Sequence, residues 1–269
     1  MPEPDSLFSG SIPENYDRYM VPLIFEPYAA DLASRVVSLS PRRVLETATG
    51  TGVVARFVLP RLPAGASYAA TDLSPPMLEF AASVLSDPRV RWRAADALDL
   101  PFDDEAFDLV LCQFGAMFFP DRVRGYREAL RVLSPGGTFV FSVWDALDSN
   151  DFAREVGEAL AEMFPADPPT FMERIPHGYH DVGRIEQDLR DAGFTRITID
   201  TITAQSIAPS ALIAATAYCQ GTPVRAEIEA RDSGAVQQAT ERAAERIAER
   251  FGEGEIRGRI QALVITASD

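Results

Sequence analysis

The chain has 269 residues, 46% hydrophobic and 24% charged, a composition typical of a globular protein that buries one sizeable core. Its 25 basic and 40 acidic residues give a net charge of −15, which disfavours binding to the phosphate backbone of nucleic acids. Every cation is an arginine. The absence of lysine excludes Schiff-base chemistry, a P-loop lysine and a Tyr-x-x-x-Lys pair.

The N-terminus, MPEPDSLFSGSIPENYDRYM, lacks the basic start and apolar stretch of a secretory signal. No apolar run approaches the roughly 20 residues of a membrane-spanning helix, so we expect a cytoplasmic protein. Cys112 and Cys219 lie far apart without a Cys-x-x-Cys motif. They predict two buried apolar residues, and neither a disulfide framework nor a zinc site.

Strand and helix signals alternate in the first half of the chain. After a helix at 21–39, strands are predicted at 43–47, 67–72, 90–96, 107–114 and 137–144. Helices are predicted at 52–62, 75–85 with Ser74 as N-cap, and 121–133, the last closed by the turn SPGG at 134–137. Because parallel neighbours need crossover connections, this alternation predicts a parallel sheet with helices on both faces.

The rhythm changes after Asp145. We predict a helix at 150–164, a Pro-rich loop at 165–180, a helix at 181–194 ended by Gly193 and a strand at 195–202. An Ala-rich helical stretch at 207–258 and a final strand at 262–267 complete the chain. Arginines and glutamates alternate over 241–250, which indicates a solvated helix face with weak pairs three residues apart.

We expect a single domain over residues 1–269. Its predicted additions to the sheet are an N-terminal helical lid over about 1–40, an insertion over about 146–180 and a helical cap over about 203–258.

The loop after the first strand carries the main motif. VLETATGTGVVAR, residues 44–56, places Glu46 before a glycine pair, Gly50 and Gly52. GTGVVA also satisfies the G-x-G-x-x-A form of the dinucleotide fingerprint, with Asp72 about 20 residues further on. Taken alone, the loop does not choose between NAD and another nucleotide-like cofactor.

Further segments resemble one family. Glu46 gives the loop the form acid-x-Ala-x-Gly-x-Gly, and ATDLSPPML (70–78), RAADALDLPF (93–102), FDLVLCQFGAMFFPD and REALRVLSPGGTFVFSVWD follow in order. Together they resemble the class I S-adenosylmethionine (SAM) methyltransferases, most closely the UbiE/Coq5 type, over residues 43–144. The resemblance implies an α/β, Rossmann-like fold with a mostly parallel seven-strand sheet, helical lid insertions and an antiparallel last strand. Ala48 stands where the family has glycine, and a negative φ there would accommodate its methyl group.

The resemblance implies a role for each motif. Asp72 would accept the ribose hydroxyls, and Leu73 or Met77 would pack an apolar face on adenine. Asp96 and a backbone N–H, with Ala97 next in the motif, would meet the polar edge of adenine, and Gln113 would meet the methionine moiety largely through its backbone. The predicted SAM-binding residues are Tyr16, Glu46, Thr47, Ala48, Gly50, Gly52, Asp72, Leu73, Met77, Asp96, Ala97 and Gln113.

Aromatic and histidine side chains are candidates for the pocket of a methyl acceptor. They are Tyr19, Phe114, Phe118, Trp144, His177 and His180, and core packing is an equally natural role for the aromatic ones. The two histidines offer no third metal ligand, so we expect no metal. No catalytic base is identified.

The sequence therefore predicts a SAM-dependent methyltransferase that acts on a small aromatic or hydrophobic acceptor by in-line displacement and releases S-adenosylhomocysteine. An NAD(P)-dependent oxidoreductase remains an alternative because of GTGVVA and Asp72. A SAM-binding protein without catalysis remains another, because no base is obvious. A homodimer is left open, and no nucleic-acid partner or membrane span is expected.

Overall fold

The structure, a computed structural model, describes residues 12–269, with side-chain surroundings from Glu14 onward. Residues 1–11 of the predicted N-terminal lid lie outside this range. The strands are β1 Arg43–Glu46, β2 Ser67–Asp72, β3 Val90–Ala94, β4 Phe107–Gln113, β5 Leu133–Trp144, β6 Arg196–Ala208 and β7 Ile256–Ser268.

The helices lie close to their predicted positions. A π-helix at Tyr16–Phe25 joins α1 to α2, and the predicted helix at 52–62 ends as a 3-10 turn at Leu59–Arg61. The α-helices are α1 Ile12–Asn15, α2 Glu26–Leu39, α3 Val53–Val58, α4 Pro75–Val84, α5 Arg122–Val132, α6 Asp151–Met163, α7 Phe171–Arg174, α8 Val182–Ala192, α9 Ala211–Gly221, α10 Val224–Arg231 and α11 Val236–Phe251.

The strands form one sheet in the order β3-β2-β1-β4-β5-β7-β6. The strands from β3 to β5 pair in parallel. Thr195 N donates to Ser268 O, and Thr203 Oγ1 donates to Gln261 Oε1, so residue numbers rise along β6 as they fall along β7. The mostly parallel seven-strand sheet is confirmed, and its last strand runs antiparallel to β6.

The turn predicted at 134–137 is wrong. Leu133 already pairs with Phe107 of β4, and the next pair is Leu109 with Thr138. Five residues of β5 therefore advance against two of β4. Gly136 has a φ of 76° in this segment, which glycine adopts at no steric cost. The Gly-Gly pair thus forms a bulge inside a long strand, which begins before the predicted turn.

The last two strands, β6 and β7, are longer than predicted. β6 continues to Ala208 and β7 begins at Ile256, so the predicted cap at 203–258 contains strand residues at both ends. The Pro-rich stretch also contains the short helix α7. Gly193 ends α8 with a φ of 113°, as predicted.

The chain divides into two compact units. The helical unit consists of the N-terminal residues up to Phe25, Trp144–Gly178 and Thr203–Gln261. The sheet unit consists of Glu26–Val143, Tyr179–Ile202 and Ala262–Asp269. The second half of the predicted lid, Glu26–Leu39, therefore belongs to the sheet unit.

In the helical unit, Arg242 of α11 makes the predicted exposed pair with Glu245, three residues further on. The arginine stripe also faces α6, which the sequence did not predict. Arg246 donates to Glu155 over 3.0 Å and to Glu162 over 2.6 Å, and it also contacts Glu158. Arg250 contacts Glu155 and Arg242 contacts Glu162. Only 5% of the Glu155 side chain is exposed. These pairs join the two helices as an ion-pair ladder.

Candidate functional site

The carboxyl ends of β1 and β2 meet at the same edge of the sheet. Glu46, the last residue of β1, pairs with Ala70. The loop from Thr47 to Gly52 then passes the end of β2, where Thr49 N donates to Thr71 O over 3.0 Å. The motif residues of the two strands are thus adjacent, as expected for a ligand site of an open α/β sheet.

Asp72 ties the glycine loop to the start of α4. One carboxylate oxygen accepts the Gly50 N–H and the other accepts the Ser74 N–H, each over 2.8 Å. Burial raises the pKa of the Asp72 carboxyl, and the N–H groups of Ser74, Gly50 and Leu73 oppose that shift. Each oxygen keeps a further lone pair, so the carboxylate can hold the loop and accept ligand hydroxyls together.

The glycine loop has three residues with left-handed backbone. Their φ values are 51° at Ala48, 55° at Gly50 and 81° at Gly52. The negative φ expected at Ala48 is therefore wrong: the loop keeps the backbone that glycine would adopt, and alanine carries the steric cost. Gly115 makes room for the methyl group, because a Cβ there would lie 2.4 Å from the Ala48 Cβ.

Glu46 is buried beneath this loop. The Tyr68 hydroxyl donates to Glu46 Oε2 over 2.5 Å. Burial raises the pKa of the Glu46 carboxyl to about 7, against the hydrogen bond from Tyr68, which lowers it. Close to neutral pH this acid is poised between its charged and neutral forms.

The loop fits a nucleotide-like cofactor. Apart from Gly50 and its two chain neighbours, no heavy atom of the described residues lies within 4 Å of the position that a Cβ on Gly50 would take. Beside it, the buried Thr51 hydroxyl has no hydrogen-bond partner among the described residues. Buried hydroxyls are normally paired, so Thr51 is suited to a bound ligand. Sequence reasoning missed Thr51, although it lies between the two motif glycines.

The residues predicted to meet adenine follow β2 and β3. Leu73 exposes 63% of its surface, whereas Met77 is buried. Asp96 is exposed, and its Oδ1 accepts the N–H of Leu98 over 2.9 Å in a local turn. Ala97 is half-buried beside it. Leu73 is therefore the more accessible of the two apolar candidates.

At the end of β4, Gln113 is buried and pairs with Ser142 of β5. The next residue, Phe114, has a φ of 52° and packs edge-on against Tyr28 at 5.3 Å between ring centroids. The Ser142 hydroxyl is buried without a partner among the described residues, a position that the sequence did not single out. Phe118 follows in a 3-10 turn and is half-buried.

The helical unit holds an aromatic row formed by Tyr16, Phe25 and Trp144. Tyr16 stacks on Phe25 at 5.1 Å between ring centroids, and Phe25 lies 5.9 Å from Trp144. Tyr16 and Phe25 are the first and last residues of a π-helix, a rare element that is often found at functional sites. Tyr19, also on this helix, lies under the Arg18 guanidinium at 5.2 Å.

His177 lies at the end of this row, 6.1 Å from Trp144 between ring centroids. It is 4% exposed, and its Nδ1 lies 2.7 Å from the backbone oxygen of Asp145. His180, by contrast, is exposed and belongs to the sheet unit. The two histidines, which the sequence predicts to share one pocket, therefore have different surroundings.

Residues 12–269 contain no group of three His, Cys, Asp or Glu side chains arranged to hold a metal ion. Among these residues, none of the helices combines the length and the hydropathy that a membrane-spanning segment requires.

Comparisons with known proteins agree with this geometry. Residues 45–141 match the family model described as a methyltransferase domain. The demethylmenaquinone methyltransferase of Thermus thermophilus is 43% identical over 114 residues, which cover 42% of this chain and 50% of the relative. The chain thus spans about half the length of that relative.

A second relative matches over more of its length. The demethylmenaquinone methyltransferase of Clavibacter sepedonicus is 30% identical over 183 residues, 64% of this chain and 74% of the relative. Among solved structures, phosphoethanolamine N-methyltransferase 2 of Haemonchus contortus in complex with SAM has a TM-score of 0.54 at 15% identity. It covers 97% of this chain and 60% of that chain. The chain therefore belongs to the class I SAM-dependent methyltransferases, and within them to the UbiE type.

Proposed function

We propose that this protein transfers the methyl group of SAM to a small aromatic or hydrophobic acceptor and releases S-adenosylhomocysteine. The observation that carries the proposal is the Asp72 carboxylate, which fastens Gly50 of the glycine loop and Ser74 of α4 through two N–H groups. This arrangement presents a fixed acid and an open glycine backbone at one strand end. SAM is the cofactor of the family to which the chain belongs.

The cofactor would lie along the carboxyl ends of β1, β2 and β4. Asp72 would hold the ribose hydroxyls, Leu73 would cover adenine, and Asp96 with Ala97 would meet its polar edge. Thr51 would donate to the ligand from the loop. When bound, SAM supplies an electrophilic methyl group on a sulfonium centre. The protein's part is to position the acceptor and exclude water, which can provide much of the rate enhancement.

Support for an aromatic or hydrophobic acceptor comes from the candidate pocket residues. Phe114 and Phe118, both in the sheet unit, follow β4. Three curated relatives are named demethylmenaquinone methyltransferase, and a quinone belongs to the class of acceptor proposed here. The net charge of −15 makes a nucleic acid an unfavourable acceptor.

Isothermal titration with SAM, S-adenosylhomocysteine and NAD tests the cofactor. We expect binding of the first two and no binding of NAD, and binding of NAD alone would instead support an oxidoreductase. Incubation with methyl-labelled SAM and a panel of phenols, naphthols and reduced naphthoquinones then tests catalysis. Labelled product identifies a methyltransferase, whereas tight SAM binding without turnover on any acceptor would support the non-catalytic alternative.

A further inference from the structure

Tyr68 and Glu46 form a buried hydrogen bond beneath the glycine loop. Each residue is 1% exposed, and the Tyr68 hydroxyl donates to Glu46 Oε2 over 2.5 Å. Hydrogen bonds from a hydroxyl to a charged carboxylate have lengths of about 2.5–2.7 Å and are stronger than those between neutral groups. A tyrosine hydroxyl is itself a neutral donor. Tyr68 therefore stabilises the carboxylate form of Glu46 without cancelling its negative charge.

The backbone of Glu46 fixes the place of this charge. Glu46 pairs with Ala70 of β2 on one side and with Leu111 of β4 on the other. Its carbonyl oxygen accepts a hydrogen bond from the Thr71 hydroxyl over 3.0 Å. The glycine loop begins at the next residue. A charge on Glu46 is therefore held at one position beneath the loop, and burial weakens its screening by solvent and salt.

Titratable and charged groups act on Glu46 from β2, α3 and β4. Asp72 of β2 raises the pKa of Glu46 and Arg56 of α3 lowers it, and each effect is smaller than that of the hydrogen bond from Tyr68. Burial raises the pKa of Tyr68, and it raises the pKa of Cys112 in β4 to about 11, so both groups stay neutral near pH 7. The charge of Glu46 is thus set chiefly by burial, which opposes it, and by Tyr68, which supports it.

We propose that Tyr68 is a positioning residue that makes the protein prefer SAM to S-adenosylhomocysteine, because its hydroxyl holds the Glu46 carboxylate beneath the glycine loop. SAM is a sulfonium and carries one positive charge more than S-adenosylhomocysteine, whose sulfur is a neutral thioether. A fixed negative charge attracts the more positive ligand more strongly. The same preference helps SAM to displace the product before the next turnover. This inference rests on the proposed function and adds a residue that sets the choice between cofactor and product.

Calorimetric titration of both ligands between pH 6 and pH 8 tests the proposal. The measured quantity is the Kd of S-adenosylhomocysteine divided by the Kd of SAM. At pH 8 this ratio should be on the order of tenfold higher in the wild-type protein than in Glu46→Gln, the effect of two unit charges about 12 Å apart at an effective dielectric constant of about 20. At pH 6 the two proteins should differ little. The amino group of each ligand titrates near pH 8 with either protein, so comparison at one pH cancels it. Equal ratios at pH 8 would overturn the proposal.

Tyr68→Phe assigns the effect to the hydroxyl, because it removes the hydrogen bond and keeps the ring. That bond lowers the pKa of Glu46, so the variant should need a higher pH to reach the wild-type ratio. A merely structural role would weaken both ligands alike and leave the ratio unchanged, which would contradict the proposal. Tyr126→Phe is the matched control, since it removes another buried hydroxyl of the sheet unit, one that donates to Tyr179 over 3.3 Å. It should keep the wild-type ratio at every pH.

Carbon NMR of the wild-type protein, labelled in its glutamate carboxyl groups, does not depend on a folded variant. A ligand that prefers charged Glu46 must lower the pKa of that group by the same coupling. SAM should therefore move the carboxyl titration near pH 7 to lower pH, and by more than S-adenosylhomocysteine does. Equal shifts would overturn the proposal. SAM-dependent methylation with equal ratios in wild type and Glu46→Gln would reject this inference and leave the methyltransferase function intact. The expected ratios without methylation of any acceptor would reject the function and leave the role of Tyr68.

Discussion

The methyl group of Ala48 occupies space that a side chain at Gly115 would need. A Cβ built on Gly115 lies 2.4 Å from the Ala48 Cβ and 2.9 Å from the Cys112 sulfur. Ala48 itself has a φ of 51°, which strains an alanine. The packing of this strained residue of the glycine loop depends on Gly115, which follows β4.

This relationship predicts the outcome of a double-mutant cycle. Gly115→Ala should destabilise the protein by about 1–3 kcal/mol, as overpacking of a full site does. Ala48→Gly should change stability by less than about 1 kcal/mol, because relief of left-handed strain offsets the greater chain entropy of glycine. The double variant should be more stable than Gly115→Ala. Urea unfolding measures all three, and effects that add within about 0.5 kcal/mol would show that the two sites do not interact.

Ala55→Gly is the matched control for Ala48→Gly. Ala55 is a buried residue of α3 with ordinary helical surroundings. The Ala55→Gly variant should lose about 1 kcal/mol or more of unfolding free energy, because glycine is unfavourable inside a helix.

Glu46→Gln should change how stability depends on pH. The folded-state pKa of Glu46 is about 7 against an ordinary value of 4.5, so the folded protein holds this proton more tightly than the unfolded chain. The resulting stabilisation is complete below about pH 4.5 and is lost as pH rises to about 7, by on the order of 3 kcal/mol. Glutamine keeps an acceptor for Tyr68 and does not titrate. Between pH 5 and pH 8, wild-type unfolding free energy should therefore fall relative to that of the variant, and parallel curves would contradict the buried acid.

Asp72→Ala should weaken SAM binding by about 1–3 kcal/mol, because a carboxylate that accepts ribose hydroxyls is lost. The variant also frees the N–H groups of Gly50 and Ser74, so Asp72→Asn is the sharper test. Its amide retains one acceptor oxygen and removes the charge. Titration calorimetry should place Asp72→Asn between wild type and Asp72→Ala. Wild-type affinity in both variants would remove Asp72 from the site.

Glu155→Gln should destabilise the helical unit by about 1–3 kcal/mol, because it removes a buried charge that several arginines share. Glu155 accepts from Arg154 and Arg246 and also contacts Arg250. Glu249→Gln, at an exposed position of α11, is the control and should have little effect. Thermal unfolding would reveal the difference, and equal melting temperatures would show that the ladder adds no stability.

The sequence predicted best those elements that local pattern determines. β2 has its predicted bounds, and Gly193 ends α8 as expected, because alternation and C-capping are properties of neighbouring residues. The local pattern places residues 203–208 in the cap, because their strand conformation depends on pairing with β7, which begins only at Ile256. The Gly-Gly pair of β5 predicted a turn because turns and bulges require the same backbone.

Side-chain partners from distant segments could not be predicted. The arginine spacing of α11 was visible, but nothing in it indicated that Glu155 and Glu162 of α6 would face it. Likewise PHGYHD shows two histidines, and only the fold separates buried His177 from exposed His180. The motif acids could be predicted because each lies at or next to the carboxyl end of a predicted strand, and parallel strands end at one edge of the sheet.

The helical unit is assembled from stretches that are far apart along the chain. Residues 26–143 of the sheet unit separate its first stretch from its second, and 179–202 separate the second from the third. Closing such loops costs chain entropy before any contact compensates for it. We therefore expect this unit to form late in folding, after β5, β6 and β7 have brought its segments together. No single proteolytic cut can release it, and no continuous fragment of the gene encodes it.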